Sequence, residues 1–117
     1  MVTINDIKNI TDINLLSKIY DLNYNNRKVV IELIKNPNTT ENILNKICNR
    51  YYKYENIIVE IIKNKNTTEE LLKIIYNRYK NKKITHTIKY ALFLFYAVNL
   101  LLNYKFHSFF DGSFISR

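Results

Sequence analysis

NTTENILNKICNRY, residues 38–51, is followed 28 residues later by NTTEELLKIIYNRY, residues 66–79. Nine of the fourteen aligned positions are identical, too many for chance or compositional bias. The same step extends upstream, where Val29, Val30, Glu32, Leu33, Ile34, Lys35 and Asn36 align with Ile57, Ile58, Glu60, Ile61, Ile62, Lys63 and Asn64. A more diverged copy comes first: Leu15, Leu16, Lys18 and Ile19 fall on Ile43, Leu44, Lys46 and Ile47, and Thr11 falls on Thr39 and Thr67. The chain therefore reads as three units, about residues 7–34, 35–62 and 63–90.

Each unit reads as two helices. In the first, Ile43, Leu44, Ile47 and Tyr51, like Leu71, Leu72, Ile75 and Tyr79, recur at helical spacing and form one apolar stripe. Thr39 and Thr67 stand where a hydroxyl can accept from the first unpaired N–H groups, and Thr67 with Glu70 has the spacing of a capping box. In the second helix Val29, Val30, Leu33 and Ile34 repeat the stripe, with Glu32 and Lys35 as a solvated pair outside it. Asn36-Pro37-Asn38 ends that helix, because a residue before proline is pushed out of the α region. β-branched residues are plentiful, but the apolar positions recur every three to four residues and do not alternate. A single glycine also leaves little room for tight hairpins.

Such helix pairs bury their stripes only against neighbouring pairs. This predicts an all-α fold, a short α-solenoid of three helix-pair repeats. Asn36-Pro37-Asn38-Thr39-Thr40-Glu41 followed by Ile43-Leu44 and Lys46-Ile47 resembles the variant leucine-rich repeat family, a HEAT-like helical repeat with an Asn-Pro-Asn-Thr turn before a Leu-rich helix. The resemblance covers about residues 9–90. The second turn, Asn64-Lys65-Asn66, lacks the proline, the units are longer than that family's, and there is no N-terminal cysteine cluster. What the resemblance implies is a scaffold that binds macromolecules without shared catalysis.

The C-terminal third departs from the repeat. Ile84 and Ile88 keep the spacing of a second helix if one residue is dropped, and an apolar run then continues over residues 90–102. A membrane span needs about 20 largely apolar residues. Here Asn99 and Asn103 interrupt the run, and Lys89 and Lys105 bracket it. The expectation is a long apolar helix over about 84–105 that caps the repeats or pairs with a second copy as a homodimer. The tail, residues 106–117, holds four of the six phenylalanines and is expected to fold back around Asp111-Gly112 or to insert into a partner.

Composition bounds the function. One domain of 117 residues has 47% hydrophobic residues and a net charge of +8. The lone Cys48, inside a predicted helix, reads as a small buried hydrophobe in a reducing compartment. The first six residues resemble no signal peptide, so the cytosol is the expected location. Catalysis has no support: the only glycine is Gly112, which excludes a phosphate loop. His86 and His107 lack cysteine or carboxylate companions at ligand spacing, so neither a metal nor a cofactor is expected.

Charge alone says little, since Asn, Lys, Ile and Tyr, all with AT-rich codons, make up 60 of the 117 residues. Position says more. Residues 23–28, 49–54 and 77–83 occupy the same place in their units, the turn between first and second helix, and each is rich in Asn, Tyr, Arg and Lys. Stacked units would line these turns along one edge, with neighbouring helices about 8–10 Å apart. The candidate partner-binding residues are Arg27, Lys28, Arg50, Tyr52, Lys53, Tyr54, Arg78, Lys80, Lys82 and Lys83. Arg and Lys suit phosphates or acidic side chains, while Tyr offers a stacking face or an interface anchor. The leading expectation is a non-catalytic protein-interaction module or occluding inhibitor acting on a protein or ribonucleoprotein. The second is a nucleic-acid binder, including a phage or mobile-element inhibitor of a nucleic-acid-targeting defence complex of the anti-CRISPR kind. The third is a membrane-associated adaptor.

Overall fold

The structure, a computed structural model, describes residues 3–79, 91–94 and 97. Among these residues the chain is all-helical, with no strand. The helices are α1 (Ile4–Ile7), α2 (Ile13–Asn23), α3 (Arg27–Lys35), α4 (Glu41–Tyr51), α5 (Glu55–Lys63) and α6 (Glu69–Tyr79); residues 91–94 and 97 are also helical. The expected second helix of the third unit, most of the C-terminal helix over 84–105 and the aromatic tail over 106–117 lie outside the described residues.

The apolar stripes meet as expected. Leu16, Ile19, Val29, Val30, Leu33, Ile34, Ile43, Leu44, Ile47, Ile57, Ile58, Ile61, Ile62, Leu71, Leu72 and Ile75 share one buried cluster, which Leu92 from the C-terminal segment also joins. α3 packs against α1, α2 and α5, and α5 packs against α4. Cys48 is buried in the same cluster, as the sequence predicts, and burial pushes its thiol pKa up, with Arg78 nearby opposing the shift.

The paired threonines divide their work differently from the sequence expectation. Thr40, not Thr39, caps α4, its hydroxyl accepting from the Ile43 N–H at 3.4 Å. Thr68, not Thr67, does the same for Leu71 at 3.2 Å in α6. Asp12 holds the equivalent position in α2 and accepts from Asn14 and Leu15. Thr39 and Thr67 point inward and donate to the carbonyls of Leu33 and Ile61, at the ends of α3 and α5. Each of those carbonyls also accepts the N–H of the C-cap asparagine, Asn36 or Asn64, at 3.1 Å, so the threonine hydroxyl occupies its second lone pair at the buried helix end. The first threonine thus closes one helix and the second opens the next.

Asparagine does the bridging. The Asn36 side chain donates to the Ile7 carbonyl at 2.7 Å and the Ile10 carbonyl at 2.8 Å. One unit later Asn64 donates to Ile34 at 2.6 Å and Asn36 at 3.2 Å. The oxygens of Asn36 and Asn64 accept from the N–H groups of Asn38 and Asn66, both at 2.7 Å. Asn38 and Asn66 in turn reach back, to Ile10 at 3.2 Å and to Pro37 and Thr39 at 2.8 Å each. Residues that read from sequence as helix breakers therefore tie each turn to the preceding one.

α1 was not legible in the repeat. Its carbonyl at Ile7 receives Asn36 as Ile34 receives Asn64, so a single helical turn stands in for the end of a preceding second helix. The Thr3 N–H and hydroxyl donate to the Asp6 carboxylate at 3.1 and 2.7 Å, which holds the Asp6 pKa below its ordinary value.

Candidate functional site

At the other ends of α3 and α5 lie the turns at residues 24–26 and 52–54. Each follows the last turn of a first helix, α2 or α4. There the repeated Asn-Arg-Tyr segments fold back onto the preceding unit. The Tyr51 hydroxyl donates to the Tyr24 carbonyl, and the Tyr79 hydroxyl donates to the Tyr52 carbonyl. Burial pushes the Tyr79 phenol up to about 12, with Cys48 and Glu55 adding to the shift and Arg78 opposing it.

The arginines beside these tyrosines take planar partners. The Arg50 guanidinium lies 4.4 Å from the Tyr24 ring centroid and donates to the Asn25 side chain. The Arg78 guanidinium lies 5.2 Å from the Tyr52 centroid and donates to the Asn49 side-chain oxygen at 2.8 Å and the Cys48 carbonyl at 3.4 Å. A flat guanidinium can stack on a ring and donate in its own plane at once, which an ammonium cannot. This explains Arg at both positions in a chain where Lys is the commoner cation.

The first unit shows the converse. Asp21, Leu22 and Asn23 occupy the positions of Asn49, Arg50 and Tyr51. Leu22 is 83% exposed, and the Asn23 side chain donates within its own helix, to Ile19 at 2.9 Å. The divergence of the first copy thus falls on residues whose work is inter-unit contact.

The remaining candidates fall on the same edge. Arg27 is the first residue of α3 and lies 5.0 Å from the Tyr54 centroid. Tyr54 and Tyr51 meet edge to face at 5.5 Å. Tyr54 occupies the N-cap of α5 without capping it, where α3 has Asn26, which accepts from the Val29 N–H. Lys53 lies 5.7 Å from the Tyr52 centroid, and Lys28 is exposed at the start of α3. The structure thus brings together Arg27, Arg50, Tyr52, Lys53, Tyr54 and Arg78; Lys80, Lys82 and Lys83 lie outside the described residues. Tyr24 and Asn25 were absent from the candidates because only the fold shows that a side chain about one repeat downstream lands on them.

Three lysines pair with carboxylates among the described residues, all away from this edge. The ion pairs Lys35–Glu32 (3.9 Å), Lys63–Glu60 (3.8 Å) and Lys73–Glu69 (3.7 Å) lie elsewhere on the helices. Among the described residues no carboxylate pairs with Arg27, Lys28, Arg50, Lys53 or Arg78. The opposite edge carries a depression of about 320 Å³ lined by Ile34, Lys35, Pro37, Glu60, Lys63, Asn64 and Lys65. Its lysines 35 and 63 face their own helix's glutamates, and its asparagine is committed to the bridge.

Among the described residues no three potential metal ligands cluster, and no helix is long and apolar enough to cross a membrane. No family model matches the sequence, and neither the curated proteins nor the solved structures contain a significant match.

Proposed function

We propose that the chain is a non-catalytic binding module, a short HEAT-like α-solenoid of three helix pairs that engages a protein or ribonucleoprotein along its turn edge. The observation that carries this reading is an edge on which Arg27, Lys28, Arg50, Lys53 and Arg78 gather with no carboxylate partner among the described residues. Uncompensated like charge on one surface disfavours the compact state, so its retention there favours use on an anionic partner. The stacked arrangement is supported by the hydrogen bonds that recur between units at Tyr51 and Tyr79 and at Asn36 and Asn64. The resemblance to the variant leucine-rich repeat fits the same picture, and the burial of Leu92 supports a C-terminal helix that closes the last unit. Binding is favoured over catalysis because Asp6 and Asp12 serve helix starts and Glu32, Glu60 and Glu69 serve ion pairs.

The test is partner capture from the native host with the double variant Lys28→Glu/Lys53→Glu beside the control Lys35→Glu/Lys65→Glu on the opposite edge. The first is expected to keep its melting temperature and lose the partner, while the control keeps both. Equal capture by all three proteins would remove the turn edge from the function.

A further inference from the structure

We infer that the turn edge takes single-stranded nucleic acid, with phosphates against its cations and bases against its tyrosine rings; this rests on the binding reading above and names the partner's chemistry. Charge alone would suit an acidic protein equally. Arg27, Lys28, Arg50, Lys53 and Arg78 have no carboxylate partner among the described residues, and α3 begins on this edge, adding the positive end of its dipole. The rings decide between the two. Tyr24 is 40% exposed and Tyr54 is 41% exposed, each oriented by a guanidinium on it, Arg50 and Arg27. A tyrosine face carries negative quadrupole density, so the face itself does not attract a carboxylate, which could use only the ring edge and the hydroxyl. A nucleobase stacks on it whatever the sequence.

Preorganisation adds to this. The Tyr24 main chain is fixed by the Tyr51 hydroxyl and its ring by Arg50, so little side-chain freedom remains to be lost on binding. Exposed Asn25 and Asn26 sit between the two cationic segments; their side-chain oxygens are engaged by Arg50 and the Val29 N–H, which leaves their amide N–H groups as the donors a base edge could use. A duplex keeps its bases stacked inside, out of reach of rings on a turn, whereas a single strand presents them.

The experiment is fluorescence anisotropy of a labelled oligouridylate of about 12 nucleotides at about 50 mM salt, with polyglutamate as competitor and with thermal melting of every variant. Binding is expected, with the logarithm of affinity falling linearly with the logarithm of salt by about 0.7 per phosphate contacted. Lys28→Glu/Lys53→Glu should abolish it. Tyr24→Leu and Tyr54→Leu should each weaken it about tenfold, while Tyr24→Phe, which keeps the stacking face, retains it and guards against a folding defect. Equal affinity for the Leu and Phe variants, or displacement by polyglutamate at matched charge, would overturn the nucleic-acid assignment and leave an edge for acidic protein. Absence of oligonucleotide binding by the wild-type chain also overturns it. The capture experiment above then decides separately whether the edge binds anything.

Discussion

The Tyr51 hydroxyl donates to the backbone carbonyl of Tyr24, 27 positions earlier in the chain. Tyr79 makes the same bond to Tyr52 at the same separation. A repeated tyrosine that could have served packing or recognition is thereby committed to joining one unit to the one before. Tyr51→Phe keeps the buried ring and removes only the donor, so it should cost about 1–2 kcal/mol. Tyr51→Ala also empties its place in the core and should cost about 3 kcal/mol or more. Chemical denaturation of both variants checks the ordering.

The asparagine bridge makes a sharper demand. Asn64 needs two donors for Ile34 and Asn36 and one acceptor for the Asn66 N–H, and it is buried. Asn64→Asp keeps the shape but turns a carboxylate toward two carbonyl oxygens, so it should be less stable than Asn64→Ala at neutral pH. The introduced acid would have its pKa raised in the folded state. Stability should therefore be partly regained below the unfolded carboxylate's pKa and lost as pH rises through the folded value. A melting series from pH 3 to 7, run at about one-unit steps, checks this.

Tyr79 gives the wild-type chain its own pH signature. Its phenol sits at about 12 in the fold against an ordinary value of 10.0, burial being the main cause. The folded state holds the proton more tightly, so this contribution is complete below pH 10 and is lost as pH rises from 10 to about 12. Tyr79→Phe should show a shallower fall in melting temperature over that window than the wild-type chain. Parallel falls would mean that the ring is not held as described.

The threonine pair separates by substitution. Thr40→Ala removes a helix cap and should cost about 1 kcal/mol, and Thr40→Asp should restore it. Thr39→Asp should be far worse, because Thr39 is buried and donates to the Leu33 carbonyl, which a carboxylate cannot do. Melting curves of the three variants check the assignment.

How much of this could be read from the chain differs by element. Ile43, Leu44 and Ile47 show their burial through spacing alone, and the step of 28 carries that reading to Leu71, Leu72 and Ile75. Thr39 and Thr40 are chemically identical neighbours, and only the path of the chain decides which faces inward. α1 is too short for any periodicity. Arg50 and Arg78 were legible as a repeated basic position, but the rings they cover lie about one repeat away. Their offset follows from how the units meet. Lys28 and Lys53 stay as candidates because no carboxylate among the described residues claims them.

Contact with the partner is tested most directly by photocrosslinking, with benzoylphenylalanine placed at position 28, 53 or 65 and irradiated in the native host. Positions 28 and 53 flank the turn edge, while 65 lines the depression at the opposite ends of α3 and α5. Adducts to one common partner from 28 and 53, and none from 65, are the expected result. Adducts from 65 alone would place the partner on the opposite edge and leave the tyrosine–arginine row a purely structural seam.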